Sequence, residues 1–236
     1  MIPRSFQMPH MKQLALEDYQ RLSEGAEVLE QDTHGPKALL TPSGSIIKLF
    51  RRKRLLSTAT VYPHALRFRR NAQRLNRYGV PSVEVQELYH CPAIARDLAI
   101  YPWMPGTTLR RYAEEAPGGI VLLGELAKFL ALLHHKGIYF RSLHLGNVLV
   151  RPDNSLALID VADLDFKWLP MGPLLRVRNF RHLFRYEQDL SLLRRFGFKR
   201  FMGIYLLSSG ISPLSAKIIL SRLLKKRGDS SEGSGS

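Results

Sequence analysis

The chain has 236 residues, 45% hydrophobic and 23% charged, enough apolar content for a sizeable core and too much for wholesale disorder. Its 35 Lys and Arg stand against 20 Asp and Glu, a formal +15 that calls for an anionic counterpart: nucleic acid, an acidic membrane face or a phosphorylated substrate. One cysteine, Cys91, excludes a disulfide framework and a thiolate zinc site, and no apolar run approaches the roughly 18 residues of a spanning helix.

Residues 1–24 are expected to form a helical lead-in, with Leu14, Leu16, Tyr19 and Leu22 on one face. The opening residues lack the continuous apolar stretch of a secretory signal, so none is expected. Three strand-like runs follow, Ala26–Gln31, Lys37–Thr41 and Ser45–Phe50, punctuated by Asp32–Pro36 and Pro42–Gly44, and they predict a small antiparallel sheet. Lys48 is the lone cation in the apolar third run, and a lysine so placed needs an anion such as a nucleotide phosphate. Residues 51–80 hold Arg51, Arg52, Lys53, Arg54, Arg67, Arg69, Arg70, Arg74 and Arg77 without one acid, while Leu66, Phe68, Ala72 and Leu75 recur at helical spacing until Pro81. Two further strands are expected at Glu84–His90 and Ile94–Tyr101, before the Pro- and Gly-punctuated residues 102–106.

The second half changes character. Gly119–Lys136 reads as an apolar helix stopped by Gly137. A loop through Asn147 leads into Val148-Leu149-Val150, a turn at Arg151–Asn154, and the apolar run Leu156–Ile159 that ends on Asp160. The rest, to about Arg227, reads as arginine-dense helices, and the Gly/Ser tail 228–236 is expected to be disordered. The plan is therefore α+β: a lead-in (1–24), a small antiparallel β lobe with one helix (25–100), a hinge (101–106) and a larger, mainly helical lobe (107–227).

Asn147 and Asp160 follow rigid apolar segments and offer hard oxygen ligands of the kind that suit Mg²⁺ on phosphates. The run Arg141-Ser142-Leu143-His144-Leu145-Gly146-Asn147-Val148-Leu149, followed by Ile159-Asp160-Val161-Ala162-Asp163, resembles the catalytic and metal-binding segments of the protein-kinase-like superfamily. It is most similar to the lipopolysaccharide core kinases of the Kdo-kinase and InaA type and to aminoglycoside-phosphotransferase-like enzymes. The resemblance extends over roughly residues 25–200 and implies a bilobal kinase-like fold that uses ATP and Mg²⁺. Carried over, it implies Lys48 on the α- and β-phosphates, Asn147 and Asp160 on Mg²⁺, Tyr101 and Trp103 at the adenine, and the hairpin 26–41 over the phosphates.

The chain departs from that pattern in four places. Gly35 is the only glycine of the hairpin. The catalytic Asp falls on Ser142 and the His before it on Phe140. The helix Glu that pairs with the strand Lys has no match, and Gln73 is the best-placed substitute. Serine has no useful basicity at pH 7, so the role of base passes to His144, Asp163 or a phosphorylated substrate, or is absent.

Two readings stay open. One is an ATP-dependent phosphotransferase acting on a sugar hydroxyl of the lipopolysaccharide inner core, heptose or Kdo, with the basic chain matching an anionic acceptor and an acidic membrane surface. The other is a nucleotide-binding pseudokinase with a regulatory or scaffolding role in envelope biogenesis. Both imply a cytoplasmic protein, peripheral on the inner membrane. A nucleic-acid role rests on charge alone, because no RNP, KH or zinc-finger pattern is present.

Overall fold

The computed structural model describes residues 11–51 and 63–228, with side chains as far as residue 224. Arg52, Lys53 and Arg54 of the basic stretch and residues 229–236 of the tail lie outside that range. The chain divides into two compact units, Met1–Met104 and Pro105–Ser236. A sheet-based unit followed by a mainly helical one is the α+β plan expected from the sequence.

The first unit runs β1 (Lys12–Gln13), α1 (Leu16–Ser23), β2 (Glu27–Asp32), β3 (Gly35–Leu40), β4 (Ser45–Arg51), α2 (His64–Arg77), β5 (Glu87–Cys91) and β6 (Arg96–Pro102). They form one sheet in the order β1-β5-β6-β4-β3-β2, antiparallel except for the β1–β5 pair. Strand alternation sorts β4 onto two faces. Ile47 and Leu49 join Leu14, Leu39, Cys91, Leu98 and Ile100 in an aliphatic layer that Tyr19 of α1 packs against. Ile46, Lys48 and Phe50 point the other way, to α2. There the Phe68 ring, fully buried, lies 5.4 Å from that of Phe50 and 5.6 Å from that of Tyr101.

The lead-in is not one helix. Pairing of Lys12 and Gln13 with Tyr89 and His90 holds that segment extended, and the Leu14 N–H donates to the His90 carbonyl at 2.9 Å. Leu14 therefore enters the core as an extended residue, while Leu16 and Leu22 of the short α1 stay exposed. Elsewhere the corrections are small. Ile94 belongs to a 3₁₀ turn, Pro92–Ile94, closed by Ala95 in the left-handed region (φ 50°), so β6 starts at Arg96. The long apolar helix begins as a 3₁₀ turn, Gly119–Leu122.

The second unit contains β7 (Thr107–Thr108), α3 (Leu109–Glu115), α4 (Leu123–His135), β8 (Ile138–Phe140), β9 (Val148–Val150), β10 (Leu156–Leu158), β11 (Leu164–Phe166), α5 (Pro173–Leu183), α6 (Glu187–Phe196), α7 (Phe198–Ser209) and α8 (Pro213–Gly228). Gly228, expected in the tail, is the last residue of α8. Strands β10-β9-β7 make one small sheet and β11-β8 a ribbon. None of the described helices is long and apolar enough to cross a membrane.

A buried polar chain joins α4, α5 and α7. Arg176 donates to the Met171 carbonyl (2.7 Å) and to the Tyr205 hydroxyl (2.8 Å). Tyr205 meets His134 Nδ1 at 2.7 Å, His134 Nε2 meets Asn179 Oδ1 at 3.0 Å, and Asn179 Nδ2 donates to the Phe140 carbonyl at 2.6 Å. Because the Asn179 amide donates to Phe140, its oxygen must accept, so His134 is the Nε2–H tautomer receiving the Tyr205 proton at Nδ1. One ring proton satisfies every partner, and a second would have no acceptor. Burial accordingly holds the His134 pKa down at about 3 and pushes Tyr205 up to about 12.

His134 thus folds neutral but protonates near 6.5 when unfolded, so its contribution to stability is present above pH 6.5 and is lost as pH falls toward 3. Denaturant unfolding is expected to show a loss of about 2 kcal/mol between pH 7 and pH 5, to which His182, also held low by burial, adds in the same direction. The His134→Gln variant is expected to flatten that slope. A parent protein equally stable at both pH values contradicts the assignment.

Candidate functional site

In the sheet unit, Lys48 sits mid-strand on β4, opposite Ala38 of β3 and Ala99 of β6, two small neighbours that leave room along its stem. Its ammonium lies 5.8 Å from the centre of the Phe68 ring. Tyr101, opposite Ile46, is buried with its ring 5.6 Å from that of Phe68. Trp103 is half-exposed and tied by its N–H to the Gly44 carbonyl at 2.9 Å. Lys48 and Tyr101 therefore share one surface with α2. Gln73 does not join them: it lies on the exposed side of α2, whereas Asn71 is the polar residue on the buried side with Phe68, Ala72 and Leu75. The choice of Gln73 followed motif position, and the face of the helix was the signal that points to Asn71.

In the helical unit two loops carry the motif, residues 141–147 between β8 and β9 and residues 159–163 between β10 and β11. The flanking strands are buried at Ile138–Phe140, Val148–Val150, Leu156–Leu158 and Leu164, so the loop ends are fixed by packing. The loops are laced together at both ends. The Arg141 N–H donates to the Asp163 carbonyl at 3.1 Å, and the Ile159 N–H donates to the Asn147 carbonyl at 3.0 Å. Within the first loop Leu143, Leu145 and Asn147 are buried, while Ser142, His144 and Gly146 are partly open.

Side chains complete the lacing. Asn147 Nδ2 donates to the Ser142 carbonyl at 2.9 Å, which leaves Oδ1 as the atom this residue offers. The Ser142 hydroxyl donates to Asp163 Oδ2 at 3.3 Å. Asp160 adopts the left-handed conformation (φ 55°, ψ 50°). That region is sparsely used by residues other than glycine, Asn and Asp, and a residue held there at a cost of order 1–3 kcal/mol persists only where its surroundings impose it. Ser142, Asn147 and Asp163 are thus joined by hydrogen bonds, with Asp160 one residue beyond the second lacing bond.

His144 turns the other way. Its ring meets that of Tyr186 edge-on at 4.9 Å, and Nδ1 lies 3.5 Å from Arg110 Nη2. Its partners are those of a loop support.

What holds the first loop is Asp189 of α6, which the sequence reading missed. Its carboxylate is fully buried. One oxygen accepts from Arg110 Nε of α3 at 2.6 Å and the other from the Leu145 N–H at 2.8 Å. Asp189 in turn holds the Arg110 guanidinium above its ordinary value. The available signal was an acidic residue inside an arginine-rich segment, read there only as charge composition.

No family model and no curated protein matches the chain. Among solved structures it is similar to WbdD in complex with the kinase inhibitor LY294002, at 17% identity over 81% of this chain and 43% of that one, with a TM-score of 0.48. It is also similar to a medium-resolution structure of the bifunctional kinase-methyltransferase WbdD, at 13% identity over 79% of this chain and 47% of that one, with a TM-score of 0.46. The chain thus spans under half the length of either.

Asp189→Asn leaves the partly buried Arg110 without its counter-charge and weakens the anchor on Leu145. It is expected to cost on the order of 3 kcal/mol in denaturant unfolding, the range for breaking a buried pair. A loss within error of zero would contradict the role given to Asp189.

Proposed function

We propose that the chain is an ATP-dependent phosphotransferase that phosphorylates a hydroxyl of an anionic sugar, of the lipopolysaccharide inner-core type (heptose or Kdo). The observation that carries this reading is the pair of laced loops, which bonds Ser142 to both Asn147 and Asp163 beside an Asp160 in the left-handed region.

The donor set fits Mg²⁺. Asn147 Oδ1 and the Asp160 carboxylate are hard oxygens, the kind that suit a Mg²⁺ held by one or two protein oxygens and completed by phosphates and water. Bound with ATP, the ion neutralises charge on the transferring phosphoryl group. Lys48 is assigned to the nucleotide phosphates, and Tyr101 and Trp103 to the adenine. In this reading Asp163, which accepts a hydrogen bond from the Ser142 hydroxyl, takes the role of base that Ser142 cannot fill. His144 is assigned to support of the loop. The sign of the whole chain, +15, and the exposed Arg141 next to Ser142 support an anionic acceptor.

Ser142 itself favours the second reading, a nucleotide-binding pseudokinase, since phosphoryl transfer without a base forfeits about 10²–10⁴-fold. Turnover separates the two. Calorimetry is expected to find Mg²⁺-dependent ATP binding, strongly weakened in Lys48→Ala and Asp160→Ala. With dephosphorylated lipopolysaccharide core as acceptor, Ser142→Ala is expected to lose less than about tenfold in kcat, Asp163→Asn about 10²-fold or more, and Asp160→Ala all activity. Binding without transfer selects the pseudokinase, and no nucleotide affinity overturns both.

A further inference from the structure

The segment between β11 and α5 presents an apolar tip. Trp168 is fully exposed (102%), Leu169 is 75% exposed, and Leu174 at the start of α5 is 62% exposed. Such residues are costly to leave in water, and here they are also braced. The Lys167 N–H donates to the Gly137 carbonyl and the Met171 N–H to the His134 carbonyl, both at 2.8 Å. The two anchors fall on either side of Trp168-Leu169-Pro170. Gly137 makes the brace possible: at φ +69° it lets the carbonyls of Lys167 and Leu169 approach to 2.6 and 2.7 Å of where a Cβ would stand. The tip is therefore held out by structure.

From Leu174 the exposed positions of α5 continue as Arg178 and Arg181, spaced i+4 and i+7 on one narrow stripe, and the exposed Arg185 follows in the turn after the helix. None of the three arginines has a salt-bridge partner among the described residues, and α5 contains no acid. The half-buried His182 registers their density. Its pKa is lowered by burial first, then by the charges of Arg185, Arg178 and Arg141.

We propose that this face, the Trp168–Leu169 tip with the Leu174–Arg178–Arg181 stripe and Arg185, docks the protein on an anionic lipid bilayer. The tryptophan and leucine enter the interfacial zone, where an amphipathic indole ring is favoured, and the arginine row lies along the charged headgroups. Charge complementarity selects the occupant: a neutral apolar partner would leave three guanidinium groups unanswered. The inference does not depend on the kinase reading, since no residue of the two laced loops takes part except through the charge of Arg141.

The test is vesicle partitioning of the full chain without nucleotide, on phosphatidylcholine alone and on phosphatidylcholine mixed with phosphatidylglycerol, at low and high salt. Binding is expected only on the anionic vesicles and is expected to fall with salt. Trp168→Ala with Leu169→Ser is expected to weaken it about tenfold or more. Arg178→Ala with Arg181→Ala and Arg185→Ala is expected to weaken it roughly fivefold per arginine. All are surface changes, and unchanged circular dichroism checks the fold. In a Trp103→Phe background, Trp168 emission is expected to shift to the blue on binding. Equal binding to neutral vesicles, undiminished binding by either variant, or an unshifted emission overturns the proposal. So does a dimer in ultracentrifugation that Trp168→Ala abolishes, which would assign the face to a second copy of the chain. A chain that binds vesicles but transfers no phosphate would sink the enzyme and leave this proposal standing.

Discussion

A buried carboxylate cannot be left unanswered, and the Asp189 carboxylate on α6 is answered from two directions, by the Arg110 guanidinium and by the Leu145 N–H. That requirement fixes the middle of the loop 141–147 against α3 and α6. Once Leu145 is fixed, Leu143 and Asn147 fall inward and Ser142, His144 and Gly146 outward. The outward position of Ser142 in the loop thus follows from an anchor three residues further along it.

The other constraint comes from beneath. The polar chain Arg176–Tyr205–His134–Asn179 ends on the Phe140 carbonyl, the residue that opens the loop. Every donor along it has one acceptor, so the arrangement admits a single protonation state and tautomer. The lacing bonds Arg141–Asp163 and Asn147–Ile159 then pass this rigidity to the second loop, where Asp160 is held in a conformation it would rarely adopt alone. A pair of loops so over-determined is what positioning chemistry requires: phosphoryl transfer draws more on placed charge than on covalent participation. On the proposed reading, the Asp163 carboxylate on the Ser142 hydroxyl stands in for the Asp that the resembled loops carry at that position.

Much of this was legible in the sequence because the decisive patterns are local. The alternation of Ile46, Lys48 and Phe50 with Ile47 and Leu49 determines both faces of the sheet, and the apolar runs before Asn147 and Asp160 determine where the loops begin. What was not legible depends on partners distant in the chain. Leu14 looked like a helical residue until its segment paired with β5, dozens of residues away. Gln73 matched a motif position, yet the helix face favours Asn71. His134 stands in the last turn of α4, where nothing local shows that burial makes it neutral. Asp189 and Arg110 stand 79 residues apart and no local pattern links them. Trp168 and Leu169 carry no local signal, because exposure, which makes them notable, is invisible to periodicity.

The central claim is that residues 142–147 and 159–163 form one metal–nucleotide site in the helical unit. The most direct measurement is NMR of the labelled chain with ATP and substoichiometric Mn²⁺ standing in for Mg²⁺. The account predicts paramagnetic broadening centred on the amides of those two loops, strongest at Asn147 and Asp160 and dependent on ATP. Broadening centred elsewhere, or the same with and without nucleotide, would contradict it.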